Sequence, residues 1–476
     1  MTRITLEGGF YEARSVIADA QRCINLYPEI NPNTSQVPVT HYPTPGKRLL
    51  GTATNNNACR CLYTASNGVL FGAFGDKVYA IDSAWTFTAY GTLTTTAGPV
   101  SMYDNGTTLI VVDGSIAGFK TSISNNTWTQ ITDAGFYGAD VVKFMDGYFI
   151  LNKPGTRQWF ISDIQAPTFT QALNFASKEA NSDILQTVAV VHREVWLIGK
   201  ETCEVYYDSG DVNFPFARMP GVFVQHGCAA KHSVATWDLS LFWVGQDPQG
   251  QFVCFRVANY QANRVSTHAI EEVWSQYSDV SDAVGFCYQQ EGHPFYVVSF
   301  PTANATWVYD ISSGKWHERA YLEADGSLSR DRANCHAVAY GQSVVGDWEN
   351  GNLYALDPAA YDDNGSPIKR IRSFPTIDLE DRRVIYRRFT ADMQVGVGLT
   401  SGDYADPQVN LRWSDDGGRT WGQKIEIPLG KIGEYNHRAV ANRLGYGRMR
   451  VFELSWAAPV STALNGAWLQ YEVCRS

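Results

Sequence analysis

With 476 residues, 44% of them hydrophobic and 18% charged, the chain is long enough for two or three domains and too apolar to be disordered. Its 41 glycines and 13% aromatic content, without runs rich in Ala, Leu, Glu and Lys, favour short strands and turns over long helices. The net charge of −10 is uneven: residues 51–367 hold 17 Lys and Arg against 32 Asp and Glu, an acidic stretch that repels phosphate and excludes an ordinary DNA-binding protein. The same acidity also serves simply to keep a large surface soluble.

From the start, MTRITLEGGF lacks a positively charged stretch followed by an apolar core, and no segment reaches the roughly 18 apolar residues of a membrane span. Nothing in these residues routes the chain out of the cytoplasm. Residues 12–24 allow a short helix or an extended arm. The stretches NLYPE, NPNT and YPTPG are too Pro-rich for a core strand system, so residues 1–50 are expected to form an arm pinned onto the C-terminal domain or a neighbour. TPGKRL (Thr44 to Leu49) lacks the first Gly and the Ser or Thr after Lys of a phosphate loop and reads as a Pro-Gly turn. In the triplet Cys59 to Cys61, strand alternation places both thiols on one face, where burial accounts for them.

Between about residues 57 and 365 one pattern recurs: a β-rich run, a turn with Gly or Asp, then a second run with two or more aromatic or aliphatic residues. The second runs are VYAI (Val78 to Ile81), IAGF (Ile116 to Phe119), WFIS (Trp159 to Ser162), EVYY (Glu204 to Tyr207), FVCF (Phe252 to Phe255), WVYD (Trp307 to Asp310) and LYAL (Leu353 to Leu356). The period suits a four-stranded blade, which buries its faces only against neighbouring blades, so an all-β propeller over 51–367 follows. Seven hairpins leave six or seven blades, because one repeat can be split across the closure of the ring or belong to a flanking domain.

Within this region HGCAAKH (His226 to His232) offers two histidines and one thiol, a weak match to zinc spacing that fits core or turn residues better. After Ser266 and Thr267 as cap candidates, Ile270, Val273, Trp274 and Tyr277 fall at helical spacing, which predicts a helix decorating a blade. From about residue 368 the strand-like stretches become Arg-rich, and residues 368–476, with 16 basic against 12 acidic residues, read as a β-sandwich-like domain. It contains SDDGGRTW, an Asp-box in which Ser414 and Asp416 bond backbone across a hairpin, Gly418 permits the tight path, and Thr420 and Trp421 complete the motif with the indole packed underneath. Such a box is structural wherever it occurs. The nine scattered cysteines, without a CxxC pair, fit free thiols in a reducing compartment. No carboxylate box, nucleophile elbow or dinucleotide fingerprint appears, so no catalytic, cofactor-binding or metal residue is assigned and the chain reads as a non-enzyme.

Several stretches in order, INLYPE, YPTPGK, QHGCAAKHSVATWDLSLFWVGQDPQG, RVSTHAIEEVWS, QQEGHPFYVVSFPTANATWVYDISSGKWHERA and VGDWENGNLYALD, resemble the packaged-DNA stabilisation proteins of short-tailed (podovirus-type) bacteriophages, also called tail hub or nozzle proteins. The resemblance runs from about residue 20 to 365 and more faintly to the end. It implies a structural virion protein made in the bacterial cytoplasm, a homohexamer forming a tube below the head-to-tail adaptor ring. Such a tube continues the DNA channel, helps retain packaged DNA and carries spikes, fibres or a needle, with no membrane partner. On that reading the acidic excess lines the lumen and lets duplex DNA pass without specific binding. Arg370, Arg372, Arg382, Arg383, Arg387 and Arg388 are then candidate assembly contacts, against the plainer reading of a solvated strand face. A ring with heterologous contacts needs two different complementary surfaces per subunit, for which separate domains give room. The alternative is a carbohydrate-binding or glycoside-cleaving, sialidase-like propeller, which predicts a monomer with a deep aromatic and charged pocket on the axis. A WD40-like scaffold lacks its Gly-His and Trp-Asp signatures.

Overall fold

In the computed structural model, which describes residues 1–6, 8–15, 19–32, 35–170, 174–179 and 181–474, the hairpins read from the sequence are the two middle strands of successive blades. Leu70–Phe74 shows why: all five residues are buried, because a blade is covered on both faces by its neighbours. Six blades are built from four consecutive antiparallel strands each and occupy residues 59–92, 101–130, 142–177, 185–224, 235–264 and 284–322. A seventh is composite. Ala333–Ala339, Gln342–Asp347 and Asn352–Asp357 take their fourth strand from the N-terminal side, Gly46–Thr52, which pairs antiparallel with Asn352–Asp357. The repeat is therefore split across the ring closure, and Gly46–Thr52 is a strand within the segment expected to be arm and turn.

The blades are numbered I to VII in that order. Their first strands lie innermost and touch one another around the axis. Apolar clusters fill the wedges between blades: Phe71, Val78, Val111 and Phe119 between I and II, Trp196, Val205, Trp243 and Phe255 between IV and V. Fully burying each such side chain contributes about 1.5–3 kcal/mol. Tight turns hold the strands in register, as at Asp146 and Gly147, both with positive φ (49° and 93°), between Met145 and Tyr148.

The helix forms where expected, over His268–Ser275, with the Thr267 hydroxyl accepting from the Ile270 N–H at 3.4 Å. Ile270 and Trp274 enter a large cluster that also holds Phe242 and Tyr296 of blades V and VI, Phe10 of the N-terminal segment, and Phe389, Phe452 and Trp456 of the C-terminal domain. One continuous core thus joins propeller and C-terminal domain.

The C-terminal domain has two sheets. One pairs Val384–Met393 with Leu464–Val473 and extends through Val39–Pro43 to Leu26–Ile30. The other continues blade VI: its outer strand Lys315–Leu322 pairs parallel with Cys23–Ile24, which pairs antiparallel with Arg370–Ser373, followed by Met449–Trp456, Gln408–Ser414 and Ile425–Pro428. The Pro-rich segment, expected to be an arm too rich in proline for core strands, thus supplies strands to a sheet of the C-terminal domain. Pro28 and Pro43 lie within strands of the first sheet, and Tyr27 is buried. Of residues 12–24, the described part is extended, with strand pairs at Tyr11–Glu12, Ala20–Gln21 and Cys23–Ile24; residues 16–18 lie outside the described residues.

Candidate functional site

Two surfaces gather chemistry. The first is a funnel on the propeller axis, where chain segments enter the innermost strands. It encloses about 640 Å³ and is lined by Arg60, Asp113, Asp140, Lys231, Asp282 and Arg330, with Trp348 and the loop Thr95–Pro99.

Arg60 owes its place to a β-bulge. The register of Cys59–Thr64 against Leu70–Phe74 shifts between Cys59 and Cys61, which breaks strict alternation. Cys59 packs in the wedge between blades VII and I, with its Sγ 3.5 Å from Cys335 Sγ, while Cys61 packs toward blade II. The two thiols do not share a face, contrary to the simple alternation expected from CRC. Arg60 turns into the loop and donates to the carbonyls of Gly75 (2.7 Å), Thr95 (2.7 Å), Ala97 (2.8 Å) and Gly98 (2.5 Å). Asp113 holds the same loop from the other side, accepting from the Thr94 and Thr95 N–H groups at 3.0 and 2.9 Å and from the Ser115 hydroxyl at 2.6 Å. Burial alone would raise the Asp113 carboxyl; these donors together hold it below its ordinary value.

Lys231 donates to Asp140 at 2.5 Å, and Asn152 donates to the other oxygen of Asp140 at 3.0 Å. Arg330 lies 4.0 Å over the Trp348 ring, and burial lowers its guanidinium to about 10. Four of the charged groups, Arg60, Asp113, Asp140 and Lys231, are thus engaged in holding the funnel together. His232 lines the funnel, and burial lowers it to about 4. The other members of HGCAAKH go elsewhere: His226 stacks on Phe255 at 4.5 Å and Cys228 donates to the Ala230 carbonyl at 3.0 Å. No cluster of three or more potential metal ligands occurs among the described residues.

The second surface is the outer face of the C-terminal sheet containing Val384–Met393. Arg387 reaches Glu472 at 2.5 Å, Arg388 donates to Asn442 at 3.0 Å, and Arg383 lies 4.8 Å over Tyr446. Arg382 pairs with Glu380 nearby. Tyr446, Ile385 and Trp468 are exposed by 61%, 39% and 37%, an aromatic and arginine mixture of the kind enriched in protein contacts.

Arg370 and Arg372 are not on that face. Both are fully buried: Arg370 donates to the carbonyls of Ala458 and Tyr361 at 3.2 Å each, and Arg372 to those of Arg22 (3.1 Å) and Gly8 (2.8 Å) and to Gln21 (2.9 Å). They tie the N-terminal segment and the domain junction internally, which removes them from the assembly contacts expected from IKRIR. Strand alternation alone did not reveal this, because the sheet is covered on both sides at this point.

The Asp-box joins Gln408–Ser414 to Ile425–Pro428. Ser414 Oγ accepts from the Gly418 N–H at 2.8 Å and donates to Asp416 at 2.6 Å, and Asp416 accepts from the Thr420 N–H and hydroxyl at 2.9 and 2.6 Å. Gly418 has φ +98°, and Trp421 packs against the Arg412 guanidinium at 4.6 Å. The box lies in the sandwich, not in any blade.

Two family models match, in tandem and over nearly the whole chain. Residues 9–361 match the β-propeller of bacteriophage P22 Gp10 and residues 369–472 its β-sandwich. No curated protein matches the chain. Among solved structures, the computationally designed Ika8 protein aligns at 13% identity over 71% of this chain and all of its own, with a TM-score of 0.39. The WD40 β-propeller domain of Doa1 aligns at 11% identity over 66% of this chain and 98% of its own, with a TM-score of 0.42.

Proposed function

The chain belongs to the bacteriophage P22 Gp10 family, a podovirus tail hub and stabilisation family, and from that membership we propose how it works as a structural phage-tail protein. The observation that carries the proposal is the tandem match of both domains in order. Six copies form a ring below the head-to-tail adaptor, continue the DNA channel and anchor the distal spikes, fibres or needle. The protein acts in the virion tail after synthesis in the bacterial cytoplasm, and it acts as a scaffold without catalysis.

Two physical features support this reading. The propeller region carries 32 acidic against 17 basic residues, so duplex DNA passing beside it is repelled and does not stick through counterion release. On the face of Arg382, Arg383, Arg387 and Arg388, two arginines are paired with Glu380 and Glu472, and its mixture of charged and exposed aromatic side chains serves as assembly contacts.

The test is the mass and shape of the purified full chain, alone and with its adaptor ring, by light scattering and negative-stain imaging. A sixfold ring whose formation is lost in R387E/R388E supports the proposal. A persistent monomer that ignores the adaptor overturns it.

A further inference from the structure

Directly below the funnel, among the innermost strands, the propeller axis holds a second cavity of about 330 Å³. Its polar walls come from Ser101, Lys143, Thr187 and His336, with Lys231 and His232 shared with the funnel at its mouth. None of its lining residues is an Asp or Glu. This is the reverse of the surrounding propeller, where acidic residues outnumber basic ones almost two to one.

Lys231 is neutralised by Asp140 at 2.5 Å, but Lys143 has no carboxylate partner and no hydrogen bond among the described residues. Its ammonium lies over the Tyr103 ring, 5.8 Å from the centroid. Burial pushes the Lys143 ammonium below its ordinary value, the mark of a cation without a compensating charge. Lys143 is half-buried, and an ammonium drawn partly out of water without a carboxylate partner carries a cost that an anion beside it would offset. Thr187 and Thr236 line the same space, and a hydroxyl is a further donor available to an acceptor-rich guest. The volume admits a small molecule and excludes a duplex.

We propose that this axial cavity binds a small oxyanion bearing two or more negative charges, of the phosphate or polycarboxylate class, with Lys143 Nζ as its principal donor. The site is independent of the assembly reading, since it is formed within a single chain.

Calorimetric titration of the full-length protein at low ionic strength with sodium pyrophosphate, inorganic phosphate and citrate, each separately, tests the assignment. The expected result is one bound anion per chain for at least one probe, with affinity about tenfold or more weaker in Lys143→Met and unchanged in Lys77→Met, which removes a lysine of blade I beside Asp76. Binding by the phosphates alone fixes the phosphate class and binding by citrate alone the carboxylate class; both support the site. No binding of any probe at millimolar concentration, or equal binding by Lys143→Met, overturns it. Should circular dichroism show Lys143→Met unfolded, Thr187→Val serves in its place, and unchanged affinity there overturns the site equally.

Discussion

Lys47 Nζ lies 2.8 Å from Asp331 Oδ2 in a buried ion cluster that also takes in Asp363 at 3.1 Å, so the strand that closes the ring is locked to the entrance of blade VII by charge. Burial works to raise Asp331, but Lys47 and Arg319 outweigh it and hold the carboxyl below its ordinary value. Lys47→Met leaves two buried carboxylates without their cation and is expected to cost about 3–5 kcal/mol. Thermal unfolding should show the drop, and adding Asp331→Asn and Asp363→Asn to Lys47→Met should recover part of it. Because the folded Asp331 value is depressed, its contribution is present at neutral pH and is lost as pH falls through that value.

Arg372 is expected to matter for order in the N-terminal segment, not for assembly. Arg372→Met removes donors to the carbonyls of Gly8 and Arg22 and to Gln21, at about 3 kcal/mol for the set. Amide hydrogen exchange in the described parts of residues 8–24 should accelerate. Ring formation, if measured where the variant is folded, should persist; loss of the ring with a well-protected N-terminal segment would return Arg372 to the interface.

Glu318 gives a second pH signature of opposite sign. Burial, opposed by Arg22 at 3.9 Å and reinforced by Glu12, raises its carboxyl from 4.5 to about 7. A raised carboxyl penalises the charged form, so the penalty is absent below pH 4.5, grows between 4.5 and 7, and is complete above. Glu318→Gln should therefore unfold at a higher temperature than the parent at pH 8 and at the same temperature at pH 4. An equal difference at both values would show that the effect is packing and not titration.

Asp416→Ala is expected to loosen the Asp-box without touching the propeller. The side chain accepts from Ser414 and Thr420, which hold its carboxyl far below the ordinary range, although it is only half-buried. Faster exchange at the Gly418 and Thr420 amides, with blade amides unchanged, is the predicted result. A global loss of protection would mean that the box nucleates more than its own hairpin.

The propeller was legible because blades I to VI repeat one physical problem: a hairpin buried on both faces, written as two dense apolar runs such as LFWVGQD and FVCF with a turn between. The seventh blade's closure was not, since GKRLLGT carries a mixed pattern and its partner lies some 300 residues away. Proline misled the reading of Leu26–Ile30 and Val39–Pro43. Leu26–Ile30 is the edge strand of its sheet, and Val39–Pro43 meets Leu464–Val473 at the single residue pair His41 and Leu464, so few ladder hydrogen bonds are demanded on the far side of either strand. Of the candidate residues, the Asp-box was readable because its bonds are local. Arg370 and Arg372 were not, because their partners at Gly8, Arg22 and Ala458 come from distant chain. Lys143 has no local signal at all. Its position becomes meaningful only when seven strands converge on an axis.

The pairing of Gly46–Thr52 with Asn352–Asp357 also orders events in time. The closing strand leaves the ribosome first and its partner some 300 residues later, which at about 5–20 residues per second is an interval of roughly 15–60 s. Throughout that interval the nascent blades form an open arc whose two terminal wedges, later occupied by Cys59, Leu353 and Val344, expose apolar surface. Closure is a loop of very high sequence separation and is expected to be the slow step of maturation. A chain truncated before residue 352 has no strand to receive Gly46–Thr52 and should stall as that arc. Partial translation products of this protein should accordingly be the species that aggregate or recruit chaperones, while the completed chain escapes both once its two ends have met.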